Sequence, residues 1–442
     1  MDKSIASAEW EVALNQMSEE QRDKLQLKMS ADTARLKPHH FIQYLYNRQN
    51  EANFATTFDD TLMDIAATNN DVFAVKTDGG AKVVLFERLS QYIADESRRD
   101  DFCRAIINKL ADFSFERIFT QKFDFYATIF EYLIKDYNSN SGGKYAEYYT
   151  PHAVARIMAE ILVPKAQQGV VRNVSCYDPS AGSGTLLMNV AHAIGEDRCS
   201  IFAQDISQKS SSLLRLNLIL NNLVHSIPNV IQGNTILHPF HKDGSALKRF
   251  DYIVSNPPFK MDFSDFRDDL DSKENQQRFF AGIPKIKAKA RDKMEIYQLF
   301  LQHIIFSLKP DGKAAVVVPT GFITAQSGID KGIREHLVNK MLAGVVSMPS
   351  NIFATTGTNV SILFIDASNK EKVVLIDASN LGEKVKDGKN QKTVLTEEEE
   401  QRICEVFNNK WSEEDFSVVV SYDEDRREKL LVQRRAVFRC EN

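Results

Sequence analysis

A chain of 442 residues is longer than one ordinary hydrophobic core organises and points to about two to three folding units. With 43% hydrophobic and 26% charged residues, it has the composition of a soluble globular protein rather than a disordered or fibrous one. A net charge of −5 argues against a free-standing nucleic-acid binder with its own positive surface; either no polyanion is involved or another subunit supplies most of the attraction.

From Met1 to about Asn138 the pattern is mostly helical, with "FDDTLMDIAA", "LSQYIADESRRDDFCRAIINKLADF" and "FDFYATIFEYLIKDY" repeating apolar residues every three or four positions. "DVFAVKTDGGAKVVLF" interrupts it as a hairpin, two β-favouring runs around Thr77-Asp78-Gly79-Gly80. The Ser/Asn/Gly loop Asn138–Tyr145 marks a boundary, so residues 1–140 are expected as one domain.

Residues 141–380 are expected as the next. Short β-rich runs alternate there with helical stretches: 173–178, 200–205, 228–233, 250–256, 313–319, 342–349 and 360–366. Such alternation predicts an α/β fold, a largely parallel sheet covered on both faces, with ligands at the carboxyl ends of the strands. A further strand-like piece, "EKVVLIDAS", comes next; residues 381–442 read as a charged linker and helical tail in which Glu397–Glu400 is a helix-starting acidic turn.

Five scattered cysteines form no C-x-x-C pair, and the nearest histidine cluster, His238-Pro239-Phe240-His241, has no ligand spacing, so no metal site is expected. No polar-then-apolar leader or run of about 18 apolar residues is seen, which leads to the expectation of a cytoplasmic protein without a membrane span.

Chemistry gathers at three strand ends. The first candidate strand runs into "DPSAGSGTLL", where Gly182, Ser183 and Gly184 make a strand-to-helix turn that lets the backbone approach a ligand; this G-x-G lacks the third glycine of the dinucleotide fingerprint. The second ends in Asp205, placed to accept hydrogen bonds from a ribose or to cap the next helix. The fourth ends in Asn256-Pro257-Pro258-Phe259. Two prolines fix the backbone and withhold two amide donors; the Asn256 amide oxygen and the Pro257 carbonyl offer two acceptors to one planar amine, and Phe259 a stacking face.

"DPSAGSG" followed by "NPPF" resembles the amino-group class of S-adenosylmethionine-dependent DNA methyltransferases. "GKYAEYYTPHAVARIMAEIL", 143–162, and "FDFYATIFEYLI" before it are similar to segments of the modification subunit of type I restriction-modification systems. The resemblance covers roughly 123–366. It implies a Rossmann-like methyltransferase sheet, seven-stranded and mostly parallel, with a mainly helical N-terminal domain and a helical C-terminal tail.

It further implies that Glu147, Tyr148, Tyr149, Thr150, Pro151 and His152 form the cofactor's methionine-side pocket, Thr150 capping the next helix and reaching the cofactor carboxylate. Asp178 would bind the cofactor's amino group, Gly182, Ser183 and Gly184 its backbone, and Asp205 its ribose. Asn256, Pro257, Pro258 and Phe259 would receive an extruded adenine. Asn234 stands where the family often has an acidic residue; it can accept from the cofactor's adenine but carries no charge. The partners implied are double-stranded DNA, a specificity subunit and a restriction endonuclease subunit. Cytosine, RNA or a protein glutamine as the methyl acceptor, or a catalytically silent cofactor-binding scaffold, remain the alternatives.

Between Phe259 and "EIYQLFLQHIIFSL" lie about 35 residues, long for a loop inside a domain, and they include the basic "PKIKAKARDK". That stretch is either a phosphate contact or a solvated loop answering the acidic "DFSDFRDDLD" before it.

Overall fold

The computed structural model describes residues 15–28, 33–112, 150–353, 359–369, 371–387 and 390–422. The chain forms two compact units, Met1–Phe123 and Asp124–Asn442. Glu147, Tyr148 and Tyr149 lie outside the described residues, as do "FDFYATIFEYLI" and the loop Asn138–Tyr145.

The first unit is mainly helical, as expected: α1 (Glu19–Lys28), α2 (Ile42–Arg48), α3 (Phe54–Phe73) and α4 (Arg99–Ala111). Phe54 and Phe58, one turn apart on α3, meet Leu45 of α2 and Cys103 and Ile107 of α4 in a small core. The hairpin forms from β1 (Val75–Thr77) and β2 (Lys82–Val83), with Gly80 at φ +83° closing the turn through its amide to the Thr77 carbonyl at 2.9 Å. Its strands are shorter than the sequence pattern suggested. His39, His40 and Asp64 also come together here; Lys37 Nζ already holds both Asp64 oxygens, at 2.8 and 2.9 Å.

The second unit is built on the expected sheet. Its strands are β3 (Val174–Asp178), β4 (Cys199–Asp205), β5 (Val230–Gln232), β8 (Phe250–Ser255), β9 (Leu308–Pro319), β10 (Leu342–Ser347), β11 (Val360–Asp366), β12 (Lys372–Asp377) and β15 (Ser417–Ser421). Small hairpins β6 (Lys242–Asp243) with β7 (Ala246–Leu247), and β13 (Glu383–Asp387) with β14 (Asn390–Val394), stand apart from it. The strand order in this unit is β15-β12-β10-β11-β9-β8-β3-β4-β5. Among the described residues of this unit, nine strands stand where seven were expected: all seven candidates are present, and β12 and β15 extend the sheet beyond β10.

β3, β4, β5, β8 and β9 run parallel, while β11 is antiparallel between β9 and β10. The helices are α5 (His152–Leu162), α6 (Thr185–Ile194), α7 (Gln208–Leu220), α8 (Tyr297–Phe306), α9 (Thr320–Thr324), α10 (Gly328–Lys340) and α11 (Glu397–Asn409). Ala314–Val318 of β9 are all fully buried, so the strand reads as an unbroken apolar run rather than an alternating one.

The C-terminal stretch differs from a linker and helical tail. α11 begins at the acidic run through a capping box of Thr396 and Glu399, but Ser417–Ser421 then pairs with β12. Three consecutive valines favour a strand, and charged neighbours hid them from a pattern search.

β4 and β5 lie to one side of β3, whereas β8 and β9 lie to the other. The sheet therefore switches direction between β3 and β8, the place where open α/β sheets bind ligands at the carboxyl ends of their strands.

Candidate active site

The turn after β3 and the tip of β8 are joined at that switch point. Ser180 Oγ and Ser255 Oγ are 2.7 Å apart, and the Ser180 amide donates to Asp178 Oδ1 at 2.9 Å. Asp178 is 1% exposed, and burial pushes its carboxyl pKa up to about 7. No basic side chain pairs with it among the described residues, so the site suits a ligand that brings a cation.

Gly182 and Gly184 have φ of +53° and +86°, conformations that a side chain disfavours. A Cβ on Gly184 would also run into Leu214 Cδ1 of α7. Gly184 is the N-cap of α6, so the turn delivers its backbone to the mouth of a helix start. The Ser183 carbonyl accepts from Asn217 Nδ2 at 2.8 Å, which ties the turn to α7.

Asp205 braces the same turn. Its Oδ2 accepts from the Gly182 amide at 2.9 Å and its Oδ1 from the Ser207 amide at 2.8 Å, and burial raises its pKa. The N-cap of α7 is Ser207, whose hydroxyl accepts from the Ser210 amide; Asp205 does not fill that position. Asn234 is turned onto its own chain: Oδ1 accepts from the Ile236 and Leu237 amides at 3.0 and 3.1 Å, and the oxygen implied for a cofactor's adenine closes this turn instead.

Thr150, Pro151 and His152 open α5. The implied cap is not made: Pro151 holds the N-cap position without a side-chain bond. The Thr150 hydroxyl instead receives Asn256 Nδ2 at 3.2 Å, across 106 residues of chain. With Nδ2 so engaged, the Asn256 oxygen is the free acceptor of the pair, and the Pro257 carbonyl accepts no hydrogen bond among the described residues. His152 Nε2 is buried without a partner among the described residues.

Asn256 lines two recesses at once. One is a narrow cleft that also includes Thr150, Asp178 and the Gly182–Ser183 backbone. The other is a cavity of about 490 Å³ lined by Pro257, Pro258 and Phe259, with Tyr297, Phe322, Asp330 and Phe353 beyond them. That volume lies within the roughly 300–1,000 Å³ of small-ligand sites. Phe259 meets Tyr297 edge-on at 6.3 Å, and Tyr297 meets Phe322 at 6.4 Å, so one side of the cavity is walled by rings. The Tyr297 hydroxyl and Gln298 Nε2 donate to Asp330, at 2.8 and 2.7 Å. Burial raises the Asp330 pKa. Tyr297 and Asp330 were not anticipated; they come from α8 and α10, and nothing in their spacing from Asn256 signals proximity.

The long loop between β8 and α8 is packed, not merely polar. Phe263, Leu270, Phe279 and Met294 are buried with Ile236 and Leu299. Arg278, 2% exposed, donates to the Thr235 and Ile236 carbonyls at 2.8 and 2.7 Å and through Nε to His303 Nδ1 at 3.0 Å. Nδ1 being the acceptor, the proton of His303 sits on Nε2, which meets the Tyr177 hydroxyl at 3.1 Å. His241 points Nε2 at the Ala203 carbonyl at 3.2 Å.

The chain is similar to the type I restriction enzyme MpnII methylase subunit of Mycoplasma pneumoniae, 29% identical over 314 residues, covering 69% of this chain and 55% of that protein. It is also similar to the HindI methylase subunit of Haemophilus influenzae, 24% identical over 334 residues, covering 72% and 69%. It therefore spans about half to two thirds of the length of these relatives. In fold it resembles the crystal structure of a type I restriction-modification system methyltransferase subunit from Streptococcus thermophilus, with a TM-score of 0.75, 21% identity and coverage of 96% of this chain and 84% of that one. The family model described as N-6 DNA Methylase matches residues 121–435, and the chain belongs to that family.

Proposed function

We propose that this chain is the methylating subunit of a type I restriction-modification system and transfers a methyl group from S-adenosylmethionine to the exocyclic amine of adenine in double-stranded DNA. The carrying observation is that Asn256 lines both the cleft over the glycine turn and the ring-walled cavity. The buried Asp178 carboxyl, with no basic partner among the described residues, and the positive-φ glycine turn fit the cationic, backbone-hugging half of that cofactor. When bound, the cofactor supplies an electrophilic methyl on a sulfonium.

Asp178 would hold its amino group, Gly182, Ser183 and Gly184 its backbone, with Asp205 bracing the turn beside the ribose and Pro151 and His152 closing the methionine side. The Asn256 oxygen and the Pro257 carbonyl accept the two amine hydrogens of the target, which localises the nitrogen lone pair and aims it across Asn256 toward the cleft. Pro258 stiffens the turn, and Phe259 offers the extruded base a face. One amine hydrogen would then pass as a proton to water, since the Asn256 oxygen and the Pro257 carbonyl orient the amine but are too weakly basic to keep it.

The catalytic domain in this reading is 141–380. A specificity subunit reads the DNA sequence, an endonuclease subunit can join, and the setting is cytoplasmic; among the described residues no helix is long and apolar enough to cross a membrane. The test is transfer of tritiated methyl to duplex DNA, with the specificity subunit present, by wild type and Asn256→Ala. Removing one preorganised electrostatic partner is expected to lower turnover about 10²–10³-fold with cofactor affinity within about twofold of wild type. Full activity in the variant rules this assignment of Asn256 out.

A further inference from the structure

The basic stretch that follows Asn256–Phe259 in sequence ends at the rim of the cavity. Lys285, Lys287, Lys289, Arg291 and Lys293 are all exposed, and between them stands a single acidic residue, Asp292. Both ends of the stretch are pinned. Pro284 is buried and its carbonyl accepts from Arg267 Nε at 3.3 Å, while the Met294 carbonyl accepts from the Met261 amide at 3.0 Å. Met261 and Glu295 line the cavity, so the C-terminal end of the loop sits at its edge.

Three of the five positive charges of this loop have no acidic partner among the described residues. Lys287 meets Glu295 at 3.3 Å, but Lys285, Lys289 and Lys293 make no ion pair among the described residues. Of the acidic segment before the loop, Asp268 and Asp271 pair with Arg267, and Asp262, which accepts from the Ser264 amide and hydroxyl, feels the charge of Arg291. In a chain of net charge −5, a local concentration of positive charge gives a polyanion one favourable place to dock.

A base drawn out of a duplex stays tethered to two backbone phosphates, so whatever holds the base brings those phosphates to the cavity's rim. We infer that the loop 284–294 is a DNA-backbone clamp, in which Lys285, Lys289 and Lys293 contact the phosphates flanking the base held in the cavity. The inference rests on the reading of the cavity as a base pocket and extends it to a surface. Such contacts carry no sequence information and act by releasing counterions.

The experiment compares the 442-residue chain with its Lys285→Gln/Lys289→Gln/Lys293→Gln variant, following anisotropy of a fluorescein-labelled DNA duplex of arbitrary sequence between about 50 and 200 mM salt. The slope of log affinity against log salt is expected to become shallower by about 2.7, three contacts at about 0.9 each. A control triple on other exposed surfaces, Lys165→Gln/Lys372→Gln/Lys384→Gln, keeps the wild-type slope. Unchanged binding of S-adenosylmethionine shows that the variants are folded, and the single variants, each expected to remove about 0.9, replace the triple if it is not. Equal slopes in the two triples overturn the clamp, as does failure of the wild-type chain to bind the duplex at about 50 mM salt. Methyl transfer is not read in this assay, so a chain that binds DNA through the loop yet transfers nothing sinks the function proposed above and leaves the clamp standing.

Discussion

At the scale of single residues, Asp178 and Thr150 show how the environment assigns a role that residue type leaves open. Asp178 is an ordinary carboxyl by sequence; burial holds its pKa up to about 7. Since the folded-state pKa lies above the unfolded value, this group's contribution to stability is fully present below about pH 4 and is lost as pH rises to about 7. A cation docking beside it reverses that preference and drives the proton off. Binding of S-adenosylmethionine at about pH 6 should therefore release a fraction of a proton, seen as a buffer-dependent heat in calorimetry, and Asp178→Asn should abolish the release. Binding heats that are the same in every buffer at that pH would show that Asp178 does not meet the cofactor's charge.

Thr150 was expected to cap α5; its hydroxyl serves Asn256 instead. An Asn side chain presents oxygen or nitrogen according to a two-fold flip, and a flipped Asn256 would offer a donor to an amine that needs an acceptor. Thr150→Val removes the partner of Nδ2 and should lower kcat about three- to tenfold, the loss of one hydrogen bond, with cofactor affinity unchanged; Thr150→Ser should restore kcat. A variant that loses cofactor affinity and keeps kcat assigns the hydroxyl to the cofactor. Asn256 and Phe259 could be singled out in the sequence because neighbouring residues combine two acceptors with a ring. The Thr150 contact was not, because only folding brings α5 to the tip of β8.

At the scale of elements, the loop between β8 and α8 is organised around Arg278, whose guanidinium joins it to the turn after β5 and, through His303, to β3. Burial lowers its pKa to about 10, still far above neutrality, so it remains a cation satisfied by carbonyls rather than by a carboxylate. Arg278→Met would strand the Thr235 and Ile236 carbonyls and should cost about 2–4 kcal/mol, measured as a lower urea midpoint of unfolding. Arg278→Lys should recover little, since an ammonium cannot reproduce the planar fork. A midpoint within error of wild type in Arg278→Met would show that water satisfies those carbonyls. The sequence marked this loop as too long to be idle, yet its buried Phe263, Phe279 and Arg278 sit in a polar stretch without periodicity, which no pattern of period 2 or 3.6 detects. The strands were legible for the opposite reason, since parallel strands buried on both faces are continuous runs of β-branched and aliphatic residues.

At the scale of the whole molecule, composition, the alternation of strand-like and helical runs, and three strand-end motifs were enough to read an α/β sheet, its seven principal strands and the residues at their tips. These are properties of short segments, set by side-chain volume, β-branching, glycine and proline, and they survive without knowledge of the partner segment. Tertiary structure alone decided the rest: that β12 and β15 prolong the sheet, that Asn234 closes its own turn, that Thr150 answers Asn256, and that Tyr297 and Asp330 complete the cavity. Each of these is a contact between residues distant in sequence, or a choice between two hydrogen-bond partners of similar strength. Strand order and burial settle such choices, and neither is written in any local stretch of the chain.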